Sequence, residues 1–132
     1  MKAIASASIH SGDTPYRHDI ETGGHALIAD EPESAGGGNT GPAPYELLLS
    51  GLGACTAITL RMYAEHKGWD LGKLAVNLSF LKDREGNERI ERTLHATGNL
   101  DEEQWQKLLA IAEKTPVTLT VKRGTAIDTR RV

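Results

Sequence analysis

Residues 36–71 read GGGNTGPAPYELLLSGLGACTAITLRMYAEHKGWDL, and the fold turns on them. Pro42 and Pro44 stand where a helix can begin, because proline's missing N–H would have no partner in a first helical turn. From Tyr45 to Lys67 the sequence is helix-permissive, and Gly68 supplies the stop. Leu47, Leu48, Leu49, Leu52, Ala54, Cys55, Ala57, Ile58, Leu60 and Met62 cover nearly every direction of the helical wheel, which predicts a buried helix. Gly51 and Gly53 cost helix propensity and predict close approach by another backbone. Arg61, Glu65, His66 and Lys67 predict a solvent-facing C-terminal end. Residues 31–44 (EPESAGGGNTGPAP) form a long irregular loop ahead of the helix. What precedes is too short for a domain, so a functional loop is the better reading than a linker.

Upstream the chain reads as strands: Ala3–Ile9, Tyr16–Glu21 and His25–Asp30. Gly12, Asp13 and Pro15 make a turn, and Thr22-Gly23-Gly24 makes a hairpin connection. Downstream, Leu74, Val76, Leu78 and Phe80 alternate with Ala75, Asn77, Ser79 and Leu81, a strand's period of two. Glu85-Gly86-Asn87 turns the chain, and Glu88–Thr97 returns with Ile90, Leu94 and Ala96 in one phase. A second helix starts at Asp101, where Asp101 and Gln104 have capping-box spacing and Leu100 and Trp105 hydrophobic-staple spacing. Trp105, Leu108, Leu109, Ile111 and Ala112 form its apolar face, Pro116 ends it, and Val117–Ile127 reads as a last strand. The predicted order is β-β-β-α-β-β-α-β in a single α+β domain spanning residues 1–132.

Composition narrows the function. The chain has 132 residues, 25% charged and 39% hydrophobic, which is a folded domain and not a disordered one. A net charge of -3 argues against a nucleic-acid partner, which needs a basic face. The N-terminal ten residues lack the apolar stretch of a signal peptide. The uncharged run Leu47–Leu60 is shorter than the roughly 20 residues of a membrane span. A cytoplasmic protein without membrane attachment is expected. The one cysteine, Cys55, excludes an intramolecular disulfide and a cysteine-rich zinc site.

Cys55 has two readings. Inside an apolar helix a cysteine usually behaves as a small hydrophobe. A reactive thiol needs a nearby cation or helix N-terminus; Cys55 is mid-helix, so a cation must come from elsewhere in the fold. The histidines (10, 18, 25, 66 and 95) have no zinc-type spacing, and no metal or cofactor is expected. The glycine run 36–38 lacks the Lys-Ser/Thr of a phosphate loop. The acidic start Asp101-Glu102-Glu103 reads as favourable helix-dipole chemistry.

Residues 36–71 resemble the OsmC/Ohr family, the osmotically induced and organic hydroperoxide resistance proteins. The resemblance rests on the glycine-rich loop, the Gly-Pro-x-Pro-x-Glu-Leu helix start and the Ala-Cys-Thr at 54–56. A second stretch, GNLDEEQWQKLLAIAEKTPVTLTV at 98–121, resembles the family's second helix and the segment after it. The resemblance implies an OsmC-like two-layer fold and an intertwined homodimer with two interface sites. It implies reduction of organic hydroperoxides by a reactive cysteine on the central helix, the position of Cys55. It also implies an arginine from an early strand that stabilises the thiolate, and a carboxylate near the central helix start that orients it. Arg17 is the only arginine before the central helix; an exposed strand residue is its competing reading.

Two departures qualify what the resemblance implies. The family's second cysteine falls at Thr115, and threonine forms no disulfide, so regeneration would need an external thiol. The family's carboxylate falls at Tyr45, with Glu46 one residue later and nine before Cys55. Nine residues rotate by about two and a half turns and put Glu46 on the face opposite Cys55. Glu46 then serves the partner chain's cysteine, or the helix starts irregularly, or Glu46 is a helix-start carboxylate. The leading expectation is a single-cysteine thiol peroxidase using Cys55, Arg17 and Glu46, acting on a small hydroperoxide as a homodimer. The alternative is a non-catalytic relative that binds a small apolar ligand at the dimer interface.

Overall fold

The computed structural model describes all residues, Met1–Val132. The chain divides into two compact units, Met1–Leu48 and Leu49–Val132.

In the first unit β1 (Ala7–Ser11), β2 (His18–Thr22) and β3 (His25–Ala29) form an antiparallel meander. Ile9 lies opposite Ile20, and Ile20 opposite Leu27. The β2–β3 turn has two residues, and Gly23 and Gly24 hold φ of 58° and 79°. That is the left-handed pair a tight hairpin requires, and glycine adopts it without strain. After a short 3-10 turn at Glu33–Ala35, the glycine-rich loop folds back on the buried Asp30. This carboxylate accepts the Thr40 hydroxyl at 2.6 Å, the Thr40 N–H at 3.0 Å and the Glu31 N–H at 2.8 Å. The Asp30 N–H donates to the Pro42 carbonyl. Several of the loop's backbone N–H groups therefore have assigned partners.

The central helix α1 runs unbroken from Pro44 to Lys67, and Gly68, at φ 69°, closes it. Its buried residues are Leu52, Gly53, Thr56, Leu60 and Ala64. That is one stripe at four-residue spacing, not the all-round burial expected from composition. Ile58 and Met62 face out at 56% and 64% exposure. The sequence is apolar in every direction, but one chain covers only one of them. No backbone approaches either glycine as expected: a Cβ at Gly53 would press on the Leu78 side chain at 2.7 Å, and Gly51 meets nothing within 4 Å.

In the second unit β4 (Leu74–Lys82) and β5 (Glu88–Ala96) form a hairpin with Leu74 opposite Ala96 and Phe80 opposite Ile90. The helix α2 (Glu102–Ala112) carries the predicted capping box between Asp101 and Gln104. The core is Leu60, Ala64, Leu71, Leu108 and Ala112, flanked by Trp69, Leu94 and Trp105. By length and composition α1 could also cross a membrane; here Leu60 and Ala64 of its stripe are part of this core.

The predicted strand Val117–Ile127 is a helix instead: α3 spans Pro116–Arg123, and no regular structure follows. Val117, Thr118, Thr120 and Val121 favour strands intrinsically. Helical geometry prevails because Pro116 suits the first helical turn and because it buries Thr115 and Thr118 together, three residues apart. Pro116 thus starts a helix; α2 has already ended at Ala112. The mixed α+β class and the remaining element order agree with expectation.

Candidate active site

Cys55 sits in the middle of α1 as a free, half-buried thiol. Its neighbour Thr56 is fully buried, and the Thr56 hydroxyl donates to the Leu52 carbonyl at 2.8 Å. The same oxygen accepts a hydrogen bond from Arg92 Nη1 at 2.8 Å.

Arg92 was not among the residues expected from the sequence. It lies on β5, its side chain 13% exposed, and joins four segments. Nη1 also donates to the Thr118 hydroxyl at 2.8 Å, and Nη2 to the Ala112 carbonyl at 2.8 Å. The Thr118 and Thr115 hydroxyls meet at 2.6 Å. A continuous chain of hydrogen bonds therefore runs from Thr115 through Thr118 and Arg92 to Thr56, one residue beyond Cys55. A mostly buried cation is tolerated because these acceptors replace its water. Its nearest carboxylate, Glu113, is 3.8 Å away and bonds Lys122 at 2.7 Å instead. The Lys122 hydrogen bond holds Glu113 below the usual carboxylate range; burial opposes this, and the Lys122 and Arg92 charges add to it. The signal for Arg92 was present in the sequence: Ile90, Arg92, Leu94 and Ala96 share the inward phase of β5, and an arginine in an apolar phase needs a partner.

The other expected residues belong to the first unit. Arg17 precedes β2, and its guanidinium lies 3.5 Å from Asp19. That pair is partly exposed and weak. The Glu46 carboxylate accepts the Ala43 N–H at 2.9 Å, a partner for one of the donors a helix start leaves open. The irregular helix start that the prolines would permit is not adopted, since α1 is helical from Pro44. Thr115 is buried, its hydroxyl on Thr118. Tyr45 is 56% exposed.

Comparison with known proteins now places this geometry. The family model for OsmC-like protein matches residues 36–130. No curated protein matches the sequence. Among solved structures, an OsmC-like protein of Mycoplasma pneumoniae is 18% identical, covering 92% of this chain and 89% of its own, with a TM-score of 0.78. The organic hydroperoxide resistance protein OhrB of Bacillus subtilis is 25% identical over 91% of both chains, with a TM-score of 0.61. A hydroperoxide resistance protein of Vibrio cholerae, solved with captopril in one of its active sites, is 20% identical over 92% of this chain and 88% of its own, with a TM-score of 0.64. The matched stretch takes in the glycine-rich loop, Cys55, Arg92 and Thr115, and on that match the chain belongs to the OsmC-like family.

Proposed function

We propose that this protein reduces small hydroperoxides, organic ones above all, by single-cysteine chemistry in a soluble, cytoplasmic homodimer. One observation carries the reading: Cys55, the only cysteine, stands half-exposed in the middle of the central helix of an OsmC-like fold. In the reaction the Cys55 thiolate attacks the peroxide O–O bond. One oxygen passes to sulfur, the alcohol leaves, and sulfur is oxidised by two electrons to a sulfenic acid. With threonine at 115, no second cysteine of the chain closes a disulfide. An external thiol condenses with the sulfenic acid, releasing water and leaving a mixed disulfide. A second thiol equivalent attacks that disulfide, restores Cys55 and leaves as the oxidised reductant. Arg17 would steady the thiolate and Glu46 would help hold the geometry.

The test follows peroxide consumption with an added dithiol. Wild type consumes tert-butyl hydroperoxide, and native-state mass measurement shows one added oxygen on Cys55 when the dithiol is withheld. Cys55→Ser does neither. Equal rates for the two proteins would sink the proposal.

A second reading has its own support. A pocket of about 460 Å³ is lined in part by Leu49, Gly53, Ala54, Ala57, Val76 and Leu78, residues on both sides of Cys55 in the sequence, and the Thr115 hydroxyl is committed to structure. A non-catalytic relative would bind a small apolar ligand, at the dimer interface, and keep that binding in Cys55→Ala.

A further inference from the structure

The second unit contains a cleft of about 600 Å³ between β4–β5 and α3, in the range of small-molecule sites. Its walls combine two kinds of surface. Leu52, Phe80, Ile90 and Val121 supply an apolar side; Arg92 and Arg89 supply a cationic one. Charge in the lining does not cancel. Arg89, Arg92 and Lys122 face Glu88 and Glu113, and both carboxylates already have lysine neighbours, Lys82 and Lys122. Arg89 makes no ion pair of its own.

Arg92 decides the chemistry. A guanidinium has five N–H donors. Two on Nη1 go to Thr56 and Thr118, and one on Nη2 goes to Ala112. Nε–H and the second Nη2 hydrogen remain, and Glu113 at 3.8 Å is too far to take either as a hydrogen bond. Both are charged donors left over on one planar cation, able to take an anionic oxygen.

We propose that this cleft is a binding site for a small amphipathic carboxylate, its head on Arg92 with Arg89 at the rim and its short hydrocarbon body against Phe80, Ile90 and Val121. The site lies wholly within Leu49–Val132 and uses no atom of Cys55, so it goes beyond the peroxidase reading and stands or falls separately. Isothermal titration of the full-length protein tests it, with hexanoate, hexanol and inorganic phosphate as probes. Hexanoate is expected to bind at least tenfold more tightly than hexanol, which has the same body and no charge. It should exceed phosphate, which has charge and no body, by a similar factor. Val121 is 39% exposed on α3, so Val121→Glu puts a carboxylate on the wall without disturbing the core, and should abolish hexanoate binding. Arg89→Gln should weaken it about threefold, and Cys55→Ser should leave it unchanged. Circular dichroism verifies that the variants fold. Hexanol or phosphate matching hexanoate, absence of saturable hexanoate binding, binding that survives Val121→Glu, or binding that disappears in Cys55→Ser would each overturn the assignment.

Discussion

At the scale of single residues, one buried and one mostly buried side chain carry much of the order near the functional elements, and neither was expected to. Asp30 holds the glycine-rich loop through Thr40, and that hydrogen bonding, with the Thr40 hydroxyl as the largest contribution, keeps its carboxyl below the ordinary value of 3.8. A lowered folded-state value gives stability that is present above the ordinary value and lost as pH falls through the lowered one. The urea midpoint should therefore drop as pH is taken below about 4. Asp30→Asn should be less stable at neutral pH, because its amide N–H₂ opposes another donor, and should lose that part of the acid dependence; an unchanged acid limb in the variant would contradict this. Arg92 is the second case. Its strand was legible from alternation, but its partners come from three segments up to 36 residues away in sequence. Local pattern shows that a buried arginine needs acceptors; it does not say which. Cys55 was visible as a lone thiol, and its setting came from the motif around it.

Elements were legible where local chemistry agrees with packing. The two-glycine hairpin, the central helix with its glycine stop, the alternating hairpin 74–96 and the capped second helix all follow from turn, cap and period signals. The last element did not, because β-branched residues at 117, 118, 120 and 121 describe a strand while Pro116 and two buried threonines build α3. Side-chain hydroxyls at 115 and 118, together with Arg92, tie α3 to the end of α2. Thr115→Val keeps the shape and removes the hydroxyl that meets Thr118 at 2.6 Å. It should cost about 1–3 kcal/mol, the range for leaving a buried partner unsatisfied, read from urea unfolding. Thr115→Ser should recover most of the loss, and equal stability of valine and wild type would refute a structural role for the hydroxyl. Threonine at this position thus has a definite task, independent of what a cysteine there would do.

At the scale of the molecule, the chain exposes 10217 Å². Ile58 and Met62 on α1 and Leu119 on α3 stand exposed, apolar side chains that a partner surface would cover. Light scattering on the purified protein should therefore give twice the chain mass. Ile58→Glu with Met62→Glu should shift it toward the monomer, and a wild-type monomer at micromolar concentration would rule the homodimer out. Composition alone could not show this, because an apolar helix reads the same whether its own chain or a second copy covers it. The buried stripe of α1 also has a consequence during synthesis. Leu60 is finally covered with the help of Leu108 and Ala112, which leave the ribosome about fifty residues later, a few seconds at ordinary elongation rates. Over that interval only Leu71 and the β4–β5 hairpin can cover the stripe, and the apolar remainder is a substrate for chaperones that hold unfinished chains.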